Sequence, residues 1–187
     1  MFRRLFLPCT LALLFVAGAC IVLPEQKPVQ DVQRNISGTK YFLYAVWGNS
    51  SSYIFAVGSG GTILHYDGKT WTATKSGNAN ALYYAWGNSP SDIFAVGFNG
   101  TVLHYDGKVW STMTSGTEND LYGISGSSSS DVFAVGSNGT ILHFDGQIWD
   151  SVTSGTTNDL WCIRSNSPSD VFTVGLNGTI LHYDGNT

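Results

Sequence analysis

Four histidines, His65, His104, His143 and His182, stand 39 residues apart, each in nearly the same string: GTILHYDGKTW, GTVLHYDGKVW, GTILHFDGQIW and GTILHYDGNT. A period near 40 residues marks a stacked or circular repeat architecture. One such unit cannot bury its own apolar faces and must use its neighbours to do so. This period restricts the fold more than any local propensity does. It names no ligand.

The second repeat serves as template. Leu82–Trp86 reads as a short apolar-aromatic strand, and Gly87–Asp92 as a turn cluster. Ile93–Gly97 is a continuous apolar run, as expected of a strand covered on both faces. Asn99-Gly100 tolerates positive φ and signals a tight turn into a third strand, Thr101–Tyr105. Asp106-Gly107 is a second turn, and Val109–Thr114 a fourth strand that Trp110 opens. No 3.6-residue stripe appears in the unit, so helices are not expected there. Four antiparallel strands per unit of this length make the blade of a β-propeller, an all-β fold. The small residues Ala56, Ala95 and Ala134, with Thr173 in the last repeat, hold the centre of the second strand, where blades approach closely.

Composition narrows the class. Charged residues make up 12% and aromatics 13%, so there is apolar surface to bury and little self-repulsion. Met1-Phe2-Arg3-Arg4 followed by Leu5–Ala19 reads as a leader, residues 1–19, too short for a membrane span of about 20 apolar residues. Without Arg3 and Arg4, the nine basic residues fall to seven against 13 acidic ones, a net charge of −6. That balance opposes nucleic-acid binding. Val16-Ala17-Gly18-Ala19-Cys20 resembles a bacterial lipobox, with Ala17 where Leu is more usual. The resemblance implies that Cys20 is diacylated, anchoring the protein to a membrane by two chains. The alternative is an ordinary signal cut near Ala19. Residues 20–31 form a tether, and residues 32–187 carry the repeats. Cys9 leaves with the leader, so Cys162 has no disulfide partner within the repeats. It fills the slot of Ala45, Tyr84 and Gly123, which predicts a small buried residue.

The string YDGKTW, Tyr66–Trp71, resembles the Asp-box of bacterial neuraminidase-type (BNR) propeller repeats, written S-x-D-x-G-x-T-W. Here Asp67 and Gly68 are adjacent rather than separated. The resemblance implies a structural role for Asp67, Asp106, Asp145 and Asp184, whose carboxylates would cap turn N–H groups. Trp71, Trp110 and Trp149 would then be blade anchors rather than sugar platforms.

Residues 32–187 number 156, four times 39. Val32 stands in the slot of Trp71, so Val32–Ser37 can supply the strand missing from the last repeat and clasp a single-chain four-bladed ring. The rivals are part of a larger ring and a subunit, a homo-oligomer, that completes its ring with other copies.

Chemistry is sparse. The histidines sit on different blades, too far apart to share one ion, so no metal and no cofactor is expected and each imidazole is structural. A sialidase needs an arginine triad, and only Arg34 and Arg164 follow the leader. Glycosidases need two flanking carboxyls, for which only Glu118 with Asp120 offers itself. The chain is therefore not expected to be an enzyme. Ligand-binding candidates are the slots that vary while their neighbours repeat. One holds Trp47, Trp86, Ser125 and Arg164, nearest the axis; the other holds Phe98 and Leu176, at exposed tips. Two function classes follow: an exported, lipid-anchored platform binding an envelope protein, or a lectin-like module binding a glycan by avidity. A glycosidase is the third and weakest reading. Placement at the outer membrane, in a cell with two membranes, is the expected address.

Overall fold

The structure is a computed structural model that describes residues 37–185, together with the dipeptides Phe15–Val16 and Ala19–Cys20, which pair antiparallel with each other. The tether and the clasp residues Val32–Ile36 lie outside the described residues.

Each repeat folds as an antiparallel meander. The chain is a β-propeller whose blades span residues 43–74, 82–113, 121–152 and 160–183. In blade 2 the strands are Leu82–Ser89, Asp92–Gly97, Val102–Tyr105 and Trp110–Met113. Among the described residues blade 4 holds three strands, ending at Tyr183. The first strand is innermost, and first strands of successive blades lie against one another.

Two details depart from the sequence reading. The first strand runs on through Gly87-Asn88-Ser89 to a two-residue turn at Pro90-Ser91. Polar, glycine-containing sequence survives there because a β-bulge between Gly87 and Ser89 absorbs the extra residue. The unit also contains a single 3₁₀ turn, Phe98–Gly100 in blade 2, repeated at Ser59–Gly61, Ser137–Gly139 and Leu176–Gly178. Asn99, Asn138 and Asn177 take φ of 53–54° within it, a left-handed conformation that asparagine tolerates.

The core lies between blades rather than within them. The front face of blade 1, with Phe55, Val57 and Ile63, meets the back face of blade 2, with Leu82, Ala85, Ile93, Leu103 and Trp110. Front Phe94, Val96 and Val102 of blade 2 meet back Leu121, Ile124, Leu142 and Trp149 of blade 3. The third junction joins Phe133 and Val135 to Leu160, Ile163 and Val171. Each fully buried aliphatic or aromatic side chain contributes about 1.5–3 kcal/mol, so this repeated seam is what holds the row together. Ala56, Ala95, Ala134 and Thr173 are all buried at the strand centres. Thr173 keeps its hydroxyl satisfied by donating to the Cys162 carbonyl at 2.9 Å.

Candidate functional site

The second residue of every inner strand is aromatic: Tyr44, Tyr83, Tyr122 and Trp161. Each sits on a bulge, where the pairing skips from Leu82 to Tyr84 in blade 2 and likewise in the others. An unpaired bulge residue turns its side chain out of the regular alternation. The four rings therefore touch from blade to blade. Centroids lie 5.7 Å apart for Tyr44–Tyr83, 5.8 Å for Tyr83–Tyr122 and 4.3 Å for the stacked pair Tyr122–Trp161. Tyr44 and Trp161, at the two ends, are about half exposed.

Asp120 and Asp159 flank this ladder. Asp120 Oδ1 accepts the Asn99 backbone N–H at 2.8 Å and Asp159 Oδ1 accepts that of Asn138 at 2.9 Å, so each carboxylate ties one blade to the tip of the blade before it. Burial first, and then the Asp120 charge, raises the Tyr83 phenol. Burial, Asp120 and Asp159 raise that of Tyr122, with a hydrogen bond to Ser137 pulling the other way. Both phenols stay protonated and can donate. The contact of Ser137 with Tyr122 places the 3₁₀ tips beside the ladder. Phe98 and Leu176, in the same tip slot, are exposed.

The slot of Trp47, Trp86, Ser125 and Arg164 is mid-strand, not terminal, and turns to the next blade. A Cβ on Gly87 would lie 2.7 Å from the Trp47 ring, and one on Gly126 2.7 Å from that of Trp86. Where the slot holds Ser125, the facing residue is Ser165, whose N–H donates to Ser125 Oγ at 3.0 Å. Trp47 and Trp86 are partly covered by these contacts, Ser125 is buried, and Arg164, with no following blade among the described residues, is exposed.

Asp67 Oδ1 accepts the N–H groups of Lys69 and Thr70, both at 2.8 Å; Asp106 and Asp145 repeat the pattern with Lys108 and Val109 and with Gln147 and Ile148. These bonds hold the three carboxyls below their ordinary range. Asp184 occupies the same slot near the end of the described residues. Gly68 follows at φ 92°, and a Cβ there would meet Ser52 Cβ at 2.7 Å, which explains the adjacent Asp-Gly. Trp110 and Trp149 are buried in the blade junctions, and Trp71, on the uncovered back of blade 1, is partly exposed.

The histidines do not converge. His104, His143 and His182 Nε2 lie 2.8–2.9 Å from Asp92, Asp131 and Asp170 at the start of the neighbouring strand. In blade 1 Tyr53 replaces that aspartate, donating instead to the Pro90 carbonyl at 2.9 Å. Burial, then the Tyr105 phenol, pushes its own phenol up to about 12. His65 lacks that hydrogen-bonded aspartate, and burial lowers its pKa against the opposing charge of Asp67. Among the described residues no three His, Cys, Asp or Glu side chains are grouped to hold a metal. Glu118 is exposed, and its supposed partner Asp120 is the tip-binding acceptor above.

One expectation is overturned. Cys162 is exposed, not buried: Gly123 in the same slot lies against Trp161 and Cys162 of the following blade, and among the described residues no blade lies against Cys162 in that way.

Strand alternation alone hides the bulge aromatics, because it makes their slot an ordinary strand position. The signal was present: the residue after each Leu43, Leu82, Leu121 and Leu160 is always aromatic.

No family model and no curated protein matches this chain. Solved structures do match in fold. YCF48 from Cyanidioschyzon merolae is 15% identical with a TM-score of 0.64, covering 75% of this chain and 50% of its own. YCF48 bound to D1 peptide gives 17%, 0.65, 77% and 51%. The computationally designed Ika4 protein gives 16% and 0.66, with 81% of this chain and 96% of its own covered. This chain thus spans about half the length of the YCF48 structures it matches.

Proposed function

We propose that this chain is a non-catalytic propeller, held at the cell envelope by lipid on Cys20, that serves as an assembly platform by binding a segment of a partner protein. The ladder Tyr44–Tyr83–Tyr122–Trp161 carries the reading. It is an aromatic surface crossing all four blades, with its ends open to solvent and carboxylates and exposed tips beside it. Rigid aromatics with a polar handle suit protein recognition, because they offer large contact area at little entropic cost. A propeller of this shape solved with a peptide, YCF48 with the D1 peptide, supports a protein ligand. The leader and Cys20 support the envelope address, at the outer membrane where a second membrane exists.

Crosslinking in intact cells followed by mass spectrometry tests this. Wild-type protein is expected to capture a defined envelope protein, and Trp161→Ala to lose about tenfold or more of that capture. An unchanged capture profile in Trp161→Ala and Tyr122→Ala sinks the reading. Palmitate labelling that persists in Cys20→Ala would remove the anchor.

The stacked Tyr122–Trp161 pair also favours a second reading, a lectin-like module in which sugar rings stack on the ladder. Agglutination competed away by free sugar would select it over the platform.

A further inference from the structure

We propose that the two uncovered ends of the blade row bind each other between copies of this chain, the front of blade 4 on the back of blade 1, so that two copies close one ring. This goes beyond the partner-binding reading and does not depend on it.

The junctions inside the chain supply the rule. At all three, Phe and Val of one second strand and the first apolar residue of its third strand enter the back of the following blade. Blade 4 carries the same set, which no blade covers among the described residues: Phe172 is 39% exposed, Val174 44% and Ile180 70%. The receiving set is equally regular. Ala85, Ile124 and Ile163 are buried in blades 2 to 4, but Val46 in the same slot of blade 1 is 66% exposed, and Leu43 is 41% exposed where its counterparts are buried. One chain thus bears both halves of a junction it already makes three times.

The finer fits agree. Phe55 packs on Tyr105 and Trp110, Phe94 on Phe144 and Trp149, and Phe133 on Tyr183. By the same rule Phe172 meets Tyr66 and Trp71 of the second copy. A large residue in the Trp47 slot requires a glycine opposite, as Trp47 has Gly87 and Trp86 has Gly126. Arg164 is the large residue at the free end, and blade 1 presents exposed Gly48 in the slot that would receive it. A front-to-back contact is heterologous, closing a ring when the rotation permits and otherwise running on as a filament. Two copies give eight blades, within the range of about 4–8 that propellers adopt.

The full chain, expressed with its leader and extracted in mild detergent under reducing conditions because Cys162 is exposed, is sized by light scattering. Val46→Asp and Val174→Asp each charge one face at a residue that is exposed in the single chain. Wild type is expected at two chains and each variant alone at one. An equal mixture of the two variants should recover the two-chain species, since one junction then has both faces unaltered. If either variant lacks the wild-type circular dichroism spectrum, Val46→Ser and Val174→Ser replace the pair. A single-chain wild type, a mass above two chains, a second protein on these faces, or failure of the mixture to recover would each overturn the proposal.

Discussion

Blades 3 and 4 share almost the same second strand, DVFAVG and DVFTVG, yet they live in different environments. In blade 3 Phe133 and Val135 are buried beneath blade 4; in blade 4 Phe172 and Val174 face outward. Near-identical residues in the same local conformation are core in one place and surface in the other. A slot's burial is set by whether another blade follows it, not by the strand that holds it. The same contrast separates blade 1 from its successors on the opposite face, where Val46 is open and Ala85 is not.

The largest expected effect comes from placing a charge in each half of that comparison. Val135→Asp buries a carboxylate without a partner and should cost about 3 kcal/mol or more. Val174→Asp should change the stability of a single chain by about 0.5 kcal/mol at most. Urea unfolding at low protein concentration measures both, and equal losses would break the comparison. A middle-sized effect follows from the glycines. Gly126→Ala sets a Cβ 2.7 Å from the Trp86 ring and from the Asp131 carbonyl, for a loss of about 1–3 kcal/mol. Gly48→Ala meets first the movable Ile54 Cγ1 at 2.9 Å and then the Tyr53 carbonyl at 3.2 Å, and should cost less than about 1 kcal/mol in the single chain.

The smallest effect concerns blade 1 against blades 2 to 4 and is read by pH. His65 has a folded pKa below its unfolded value of 6.5, so the unfolded chain takes up the proton first. Above that value His65 is neutral in both states. As pH falls through 6.5 toward the lower folded value, stability is progressively lost. Tyr53→Asp gives blade 1 the carboxylate its successors have, and should raise the His65 midpoint in an NMR titration. An unmoved midpoint would show that the missing aspartate does not set it.

Much of this was legible in the chain. The 39-residue period, the strand order and the Trp at the start of each fourth strand were all readable, since each depends on residues near one another along the sequence. So was the separation of the histidines onto different blades. Their Asp92, Asp131 and Asp170 partners were not, because they stand 12 residues upstream on a neighbouring strand. The exposure of Cys162 is hidden for a related reason: its slot holds residues as different as Gly123 and Tyr84, and what lies against that slot belongs to another blade. The aromatic ladder is not legible from alternation, because a bulge redirects the second residue of each inner strand and alternation alone does not reveal a bulge.

The sequence by itself determined the unit, its repetition and the residue type at each slot, because turns and pleat periodicity act over a few residues. Only the tertiary structure decided which slots are core, how the inner aromatics join into one surface, and that blades 1 and 4 each keep one apolar face exposed among the described residues. Those outcomes depend on what lies beside a blade, and a repeat that says the same thing four times does not say which of its faces meets a neighbour.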